Sequence, residues 1–226
     1  MLFVMIENHF LEFKNVEIQH QENRILSKIN LSISEGEFVY FVGKTGSGKS
    51  SLLKAIYGDV PISKGEITFK NQNLSRLSKK KILALRRKIG IIFQDFQLLM
   101  DRSVSDNLRF VMTATGWKGK KRIEEEIEKL LTKVDMLEKA NAYPHLISGG
   151  EQQRIAVARA LINNPELIIA DEPTGNLDPE TSEKIMSLVK TIVGKQKTVI
   201  MATHDFGIIN KFPGRIVKFD NKSIVN

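Results

Sequence analysis

The sequence contains no cysteine, which excludes a disulfide framework and fits a protein of a reducing compartment. It also lacks any apolar run near the roughly 18–20 residues that a membrane-spanning helix requires. Its first residues carry no basic segment of the kind that opens a signal peptide, and Glu7 and His9 interrupt their short apolar run. We therefore expect a cytoplasmic chain that does not insert itself into a membrane.

Four short segments of the chain are apolar throughout instead of alternating with polar residues. They are residues 38–42, 89–93, 167–170 and 198–202. Continuous apolar runs of this length are typical of strands that are buried on both faces, as in a parallel sheet covered by helices. The 226 residues are enough for one domain with a sizeable core. The pattern predicts an α/β fold with a mainly parallel sheet.

The first third and the middle of the chain show different patterns. Residues 11–18, 26–33 and 65–69 have short or alternating β-like patterns, which favour an antiparallel β layer. Residues 95–161 have a helical pattern, in which apolar side chains recur every three or four positions. The recurring side chains are Ile123, Ile127, Leu130, Leu131 and Val134.

One domain with two subdomains is therefore expected. Residues 1–94 and 162–226 would form a catalytic core that includes an N-terminal antiparallel β-subdomain. Residues 95–161 would form an inserted helical subdomain.

A phosphate-binding loop is predicted at residues 43–50, which read GKTGSGKS and match G-x-x-x-x-G-K-[ST] between an apolar strand and a helix-like run. Glycines let backbone N–H groups approach phosphate oxygens, and the helix N-terminus adds partial positive charge. We expect Lys49 to reach the β- and γ-phosphates of a nucleotide and the Ser50 hydroxyl to bind Mg²⁺. A glycine-rich turn without phosphate is the alternative, and the flanking strand and helix argue against it. The predicted binding residues are Gly43, Lys44, Thr45, Gly46, Ser47, Gly48, Lys49, Ser50 and Ser51.

Two acids end the apolar run at residues 167–172, which read LIIADE. Asp171 is expected to hold Mg²⁺ through water, and Glu172 is expected to act as the general base on an attacking water. Surface acids after a strand are the ordinary alternative. A phosphate-binding loop in the same chain favours the catalytic interpretation.

Residues 147–154, which read ISGGEQQR, closely resemble the LSGGQ-type signature of ABC ATPases, with Ile147 in place of the usual Leu. Ser148 and Glu151 have the spacing of a capping box, which predicts a helix start. With Gly149 and Gly150, this start offers a second anion site in the chain. The resemblance implies an ATP-dependent, head-to-tail homodimer in which the signature of one subunit covers ATP held by the other.

The resemblance covers essentially the whole chain and implies roles for three more residues. Gln94 matches the Q-loop glutamine that senses Mg²⁺ and the attacking water. Asp178 matches the D-loop that crosses the dimer interface, and together with Pro179 it also has the pattern of a helix N-cap. His204 matches the switch histidine that contacts the γ-phosphate.

The adenine-stacking position departs from the family pattern. The family usually places an aromatic residue there, often tyrosine, whereas this chain places His20. Histidine can stack on a base less extensively, and Phe13 is a less favoured substitute.

Three classes of ABC ATPase could carry these motifs. A non-hydrolysing regulatory module would have lost Lys49, Glu172 or His204, and all three are present. ABC ATPases that act on DNA or ribosomes usually carry long coiled-coil insertions or tandem domains, and neither occurs here, so no nucleic-acid partner is expected. The remaining class powers an integral membrane partner from the cytoplasmic side of the membrane.

Within that class, residues 172–178 (EPTGNLD) resemble a subgroup that serves partners with four transmembrane helices. Residues 93–104 and 201–205 resemble its cell-division members. The resemblance implies that ATP-driven dimerisation switches on cell-wall hydrolases through the partner. The alternative is an ATPase for lipoprotein release or macrolide export.

The formal net charge of +8 is locally concentrated. Residues 75–88 contain seven basic residues and no acid, and a second cluster consists of Lys118, Lys120, Lys121 and Arg122. A solvated helix face and loop is one interpretation. Contact with an anionic membrane surface is the other.

Overall fold

The computed structural model describes residues 9–21, 23–194 and 196–225. The expectation about the start of the chain, at residues 1–8, lies outside these ranges. Within them, no helix is long and apolar enough to cross a membrane.

The strands and helices follow each other in the order expected of an α/β chain with an early β layer. The strands are β1 (Leu11–His20), β2 (Asn23–Ile33), β3 (Phe38–Val42), β4 (Lys64–Phe69), β5 (Gln72–Asn73), β6 (Ile89–Ile92), β7 (Leu167–Asp171), β8 (Thr198–Ala202), β9 (Arg215–Asp220) and β10 (Ser223–Val225). The helices are α1 (Lys49–Ile56), α2 (Lys79–Arg87), α3 (Val104–Ala114), α4 (Lys120–Lys133), α5 (Gly149–Leu161), α6 (Pro179–Val193) and α7 (Phe206–Lys211). Two short 3-10 helices, Leu137–Lys139 and Pro144–Leu146, precede α5.

The larger sheet has six strands in the order β10-β9-β3-β8-β7-β6. The pairs from β9 to β6 are parallel, and β10 adds an antiparallel edge. Residues 167–170 and 198–202 are buried on both faces because helices cover both sides of the sheet. The predicted α/β fold with a mainly parallel sheet is therefore confirmed.

The smaller sheet is antiparallel, in the order β2-β1-β4-β5. It packs on the core in one hydrophobic cluster that joins Phe13 and Leu26 to Phe41 of β3 and Leu52 of α1. The antiparallel β layer predicted in the first third of the chain is thus present. It holds the strand and the helix that flank the phosphate-binding loop.

The helical segment packs on the opposite side of the larger sheet. The five recurring apolar side chains of residues 123–134 are all buried, as their spacing predicted. They belong to one cluster that also contains Ile155 of α5, Ile168 of β7 and Met201 of β8. The boundaries at residues 94 and 161 stay a prediction.

Candidate functional site

The phosphate-binding loop lies between β3 and α1 at the carboxyl end of the parallel sheet. Gly46 and Gly48 have φ of 79° and 97°, in the left-handed region that favours glycine. A Cβ on Gly43 would lie 2.5 Å from the carbonyl oxygen of Phe219. Helix α1 begins at Lys49 without a side-chain cap, so its first N–H groups are left for a ligand.

Two polar groups inside the loop fit a phosphate. Lys49 is only 4% exposed, and its Nζ donates to the carbonyl oxygens of Gly43, at 2.7 Å, and Lys44, at 3.1 Å. Ser47 Oγ is buried and has no hydrogen-bond partner within the described ranges. Buried polar atoms are normally paired, so this orphan hydroxyl fits a ligand oxygen.

The Ser50 hydroxyl donates to Oδ1 of Asp171 across 2.9 Å and joins the start of α1 to the end of β7. Burial raises the pKa of the Asp171 carboxyl, and the Glu172 carboxylate acts in the same direction, while the Ser50 hydrogen bond opposes both. A hydroxyl beside a carboxylate is a donor set that suits Mg²⁺, and a cation would stabilise the charged carboxylate.

Glu172 and His204 are brought together by neighbouring parallel strands. Glu172 follows β7, and His204 follows β8 with one residue between. Their Oε2 and Nδ1 atoms are 3.1 Å apart. The φ of Glu172 is 47°, an uncommon left-handed value for a residue other than glycine, and such strain clusters at functional sites. Its N–H is held by the carbonyl oxygen of Ala202 at 2.9 Å.

Gln94 is paired with the loop that precedes α6. Its Nε2 donates to Oδ1 of Asn176 at 3.3 Å, and Asn176 Nδ2 donates back to the Gln94 carbonyl oxygen at 3.1 Å. A Cβ on Gly175 would lie 3.0 Å from the same Nε2. The pair uses the amide nitrogen of Gln94, whereas a magnesium ligand would have to be its side-chain oxygen. Its roles as catalytic residue and ligand stay predictions.

The signature segment starts α5 as predicted. The Ser148 N–H donates to Oε2 of Glu151 at 2.8 Å, and the Glu151 N–H donates to the Ser148 hydroxyl at 3.3 Å, which confirms the capping box. The Ser148 N–H and hydroxyl lower the pKa of the Glu151 carboxyl. The predicted cap at Asp178 is also present, since its Oδ1 accepts the Thr181 N–H at 3.0 Å.

The signature and the phosphate-binding loop line different surface depressions of the chain. Ser148, Gly149 and Gly150 line one depression together with Asp178. Gly43, Lys44 and His204 line another. The two segments therefore lie on separate parts of the surface.

His20 lies exposed at the end of β1, where it pairs with Asn23 of β2. The residue from β2 that covers the phosphate-binding loop is Leu26, because a Cβ on Gly48 would lie 2.5 Å from its Cδ2. Leu26 was not predicted, since only the tertiary fold places it there. Phe13 is buried in the β layer, so it is wrong as a substitute for stacking on adenine. The role of His20 stays a prediction.

Comparisons with known proteins agree with this geometry. Residues 26–175 match the family model described as ABC transporter. The chain is 40% identical over 200 residues to the "Cell division ATP-binding protein FtsE" of Streptococcus pneumoniae, which covers 88% of this chain and 86% of that protein. It is 41% identical to the protein of the same name from Bacillus subtilis, with 89% of this chain and 88% of that protein covered.

A solved structure shares the fold closely. It is a dimeric, post-hydrolysis state of an ATP-binding cassette bound to ADP and phosphate, with a TM-score of 0.85 and 34% identity. The match covers 96% of this chain and 97% of that one.

Proposed function

Because the chain belongs to the ABC transporter family, in its cell-division (FtsE) group, and hydrolyses ATP, we propose that it powers an integral membrane partner of the FtsX type. In this proposal ATP-driven dimerisation of the chain bends the partner, which switches on cell-wall hydrolases on the far side of the membrane. The chain itself would be a peripheral protein on the cytoplasmic side. The similarity to FtsE proteins over most of the chain carries this proposal over lipoprotein release or macrolide export.

The proposed chemistry uses the groups at the carboxyl end of the sheet. Ser50, Gln94 and Asp171 would hold Mg²⁺ on the nucleotide phosphates. Glu172 would accept the proton of the attacking water, and His204 would contact the γ-phosphate. The short Ser50–Asp171 and Glu172–His204 contacts support this assignment.

The proposed assembly is a head-to-tail homodimer with two composite sites. It is supported by the separation, within one chain, of the signature from the phosphate-binding loop. An anion site at the start of α5, in a different depression from the chain's own phosphate-binding loop, becomes useful when a second copy supplies a nucleotide to it.

Mixing two inactive variants tests this assembly. Lys49→Ala disables the phosphate-binding loop, and Ser148→Arg blocks the signature. In a head-to-tail heterodimer of the two, one site combines a normal loop with a normal signature, so we expect ATPase activity to return on mixing. Activity should reach up to roughly a quarter of the wild-type value, since random pairing gives half heterodimers and each has one intact site.

The mixing experiment requires evidence that heterodimers form. Co-purification of the two variants, each with a different tag, provides it. Lys49→Ala mixed with Glu172→Gln is the matched control, because both changes then disable the same side of a site and no intact site arises. If heterodimers form and ATPase activity does not return, the nucleotide site is not shared between the two subunits.

Isolation of the membrane partner tests the cellular role. Tagged chain purified from detergent-solubilised membranes should carry a protein with four transmembrane helices and should locate to the division site. A bound lipoprotein would instead support the alternative function and contradict the cell-division proposal.

The basic surface is proposed to touch anionic lipid headgroups. We define it as Lys79, Lys80, Lys81, Arg87, Lys118, Lys120, Lys121 and Arg122. A Cβ on Gly116 would lie 3.7 Å from Nη2 of Arg87, so the two basic clusters of the sequence are neighbours in the fold. Arg86 and Lys88 are excluded, because Arg86 donates to the Tyr57 carbonyl oxygen at 3.0 Å and Lys88 faces Glu166 at 3.6 Å.

Lys79, Lys80 and Lys81 are exposed at the start of α2 and have no ion-pair partner among the residues that the structure describes. Their position there is unfavourable for the helix dipole, since cations favour the opposite helix end. Near an anionic membrane each would gain about 1 kcal/mol, within a screening distance of about 8–10 Å. The gain would offset the helix-dipole penalty.

Replacing Lys79, Lys80 and Lys81 by Gln should weaken binding to vesicles rich in phosphatidylserine by up to about 150-fold at low salt, since three contributions of about 1 kcal/mol add to about 3 kcal/mol. ATP hydrolysis should not change. Vesicle co-sedimentation at several salt concentrations measures the effect. The control variant replaces Lys14, Lys64 and Lys211, which are exposed elsewhere, and equal losses in both variants would contradict a specific surface.

A further inference from the structure

We infer that Gln153 is a positioning residue that fixes the backbone on which Glu172 is carried. The inference rests on the proposed role of Glu172 as general base. Gln153 lies in α5, one and a half turns after the signature serine, and is fully buried.

Within the described ranges, the amide of Gln153 makes one hydrogen bond, to the residue that follows Glu172. Its Nε2 donates to the carbonyl oxygen of Pro173 at 2.5 Å. A carbonyl oxygen can only accept, so the amide nitrogen has to face it. The other end of the amide, Oε1, is then buried without a partner among the described residues.

A half-satisfied buried amide is a poor way to stabilise a helix core. Burying an unpaired polar atom is unfavourable, and an apolar side chain of the same length would avoid it. Met is such a side chain, and it is also a better filler of an irregular core. The presence of glutamine at this position therefore points to the hydrogen bond with Pro173 and not to packing alone.

Pro173 depends on this bond more than another residue would. Proline has no N–H group, so its carbonyl oxygen is the only backbone atom through which hydrogen bonding can hold residue 173. The preceding residue, Glu172, has the uncommon φ of 47°, a conformation that persists only where its surroundings impose it.

The surrounding hydrogen bonds restrain the segment on both sides of Pro173. The Glu172 N–H is held by Ala202, and the Gly175 N–H donates to the Glu172 carbonyl oxygen at 3.0 Å. Between these contacts, Gln153 is the one side chain among the described residues that forms a hydrogen bond with Pro173. Without its donor, the backbone can rotate toward a commoner conformation and carry the Glu172 carboxylate away from the water.

Replacing Gln153 by Met tests the inference, because it removes the donor and the orphan oxygen while it keeps the length of the side chain. The ATPase kcat should fall by roughly 10- to 100-fold, the size of effect that a misplacement of about 1 Å produces. The KM for ATP should stay within about twofold, since the phosphate-binding loop is untouched. The Tm should move by less than about 4 °C.

Val157→Ala is the matched control, as Val157 is buried in the same helix and does not touch Pro173 through a hydrogen bond. It leaves a cavity and should lower Tm, while kcat stays within about twofold of wild type. If Gln153 had a purely structural role, kcat would instead fall together with Tm in both variants, and Val157→Ala would lose more activity than Gln153→Met.

Gln153→Glu adds a pH-dependent readout, measured at a temperature where the variant stays folded at every pH used. The protonated carboxyl has one O–H that can donate to the Pro173 carbonyl oxygen, whereas the carboxylate cannot donate. Its kcat relative to wild type at the same pH should therefore rise as the pH falls through the pKa of the introduced carboxyl. A flat ratio, or a kcat for Gln153→Met close to the wild-type value, would overturn the inference. If Glu172 is not the general base, the Glu172→Gln variant will still hydrolyse ATP, so that failure is detected separately.

Discussion

Replacing Glu172 by Gln should lower steady-state ATP hydrolysis by about 10²–10⁴ while ATP still binds, because that is the usual contribution of a general base. The amide has the shape of the carboxyl but cannot accept a proton from the attacking water. The phosphate-binding loop, with the Lys49 and Ser50 side chains, is unchanged by the substitution. Phosphate release measures the turnover, and equilibrium binding of a labelled nucleotide measures the affinity.

Glu166→Gln is the matched control, since Glu166 directly precedes β7, at its other end from Glu172. It removes the same charge and breaks ion pairs with Lys70 and Lys88, yet it should leave turnover within about twofold. Hydrolysis by Glu172→Gln within about a factor of three of wild type would exclude Glu172 as the general base.

The second large effect is expected for nucleotide affinity. Lys49→Ala should weaken ATP binding by roughly 10- to 150-fold, because a charge-assisted hydrogen bond contributes about 1.5–3 kcal/mol. Lys49 also holds the loop through the Gly43 and Lys44 carbonyl oxygens, so its loss loosens the loop as well. Equilibrium titration with ATP and Mg²⁺ measures the change.

Lys129→Ala removes an equal charge from an exposed position in α4 and should leave the affinity unchanged. Comparison of the two variants separates a local role from the general attraction of a basic chain for an anionic nucleotide. An unchanged Kd for Lys49→Ala would remove Lys49 from the phosphate site.

Local features could be predicted because they depend on residues that are close along the chain. The capping box of Ser148 and Glu151 is one example, and the Asp178 cap with Pro179 at the first helical position is another. The helical spacing of residues 123–134 predicted their burial for the same reason. The helix within residues 75–88 is harder to predict from the sequence, since α2 buries only Leu85 and therefore has a weak apolar pattern.

The sequence by itself determined the α/β class, and it also predicted the phosphate-binding loop and the side chains proposed to react, since each follows from a local pattern of residue types. Only the tertiary structure decided which of them meet. Ser50 and Asp171 are 121 positions apart, and Gln94 and Asn176 are 82 apart. Contacts at such distances depend on the order of the parallel strands, which brings the carboxyl ends of β3, β7 and β8 to one edge. The bond between Gln153 and Pro173 is of the same kind, since nothing in either residue's neighbours along the chain indicates that a buried helix amide meets the backbone beside Glu172.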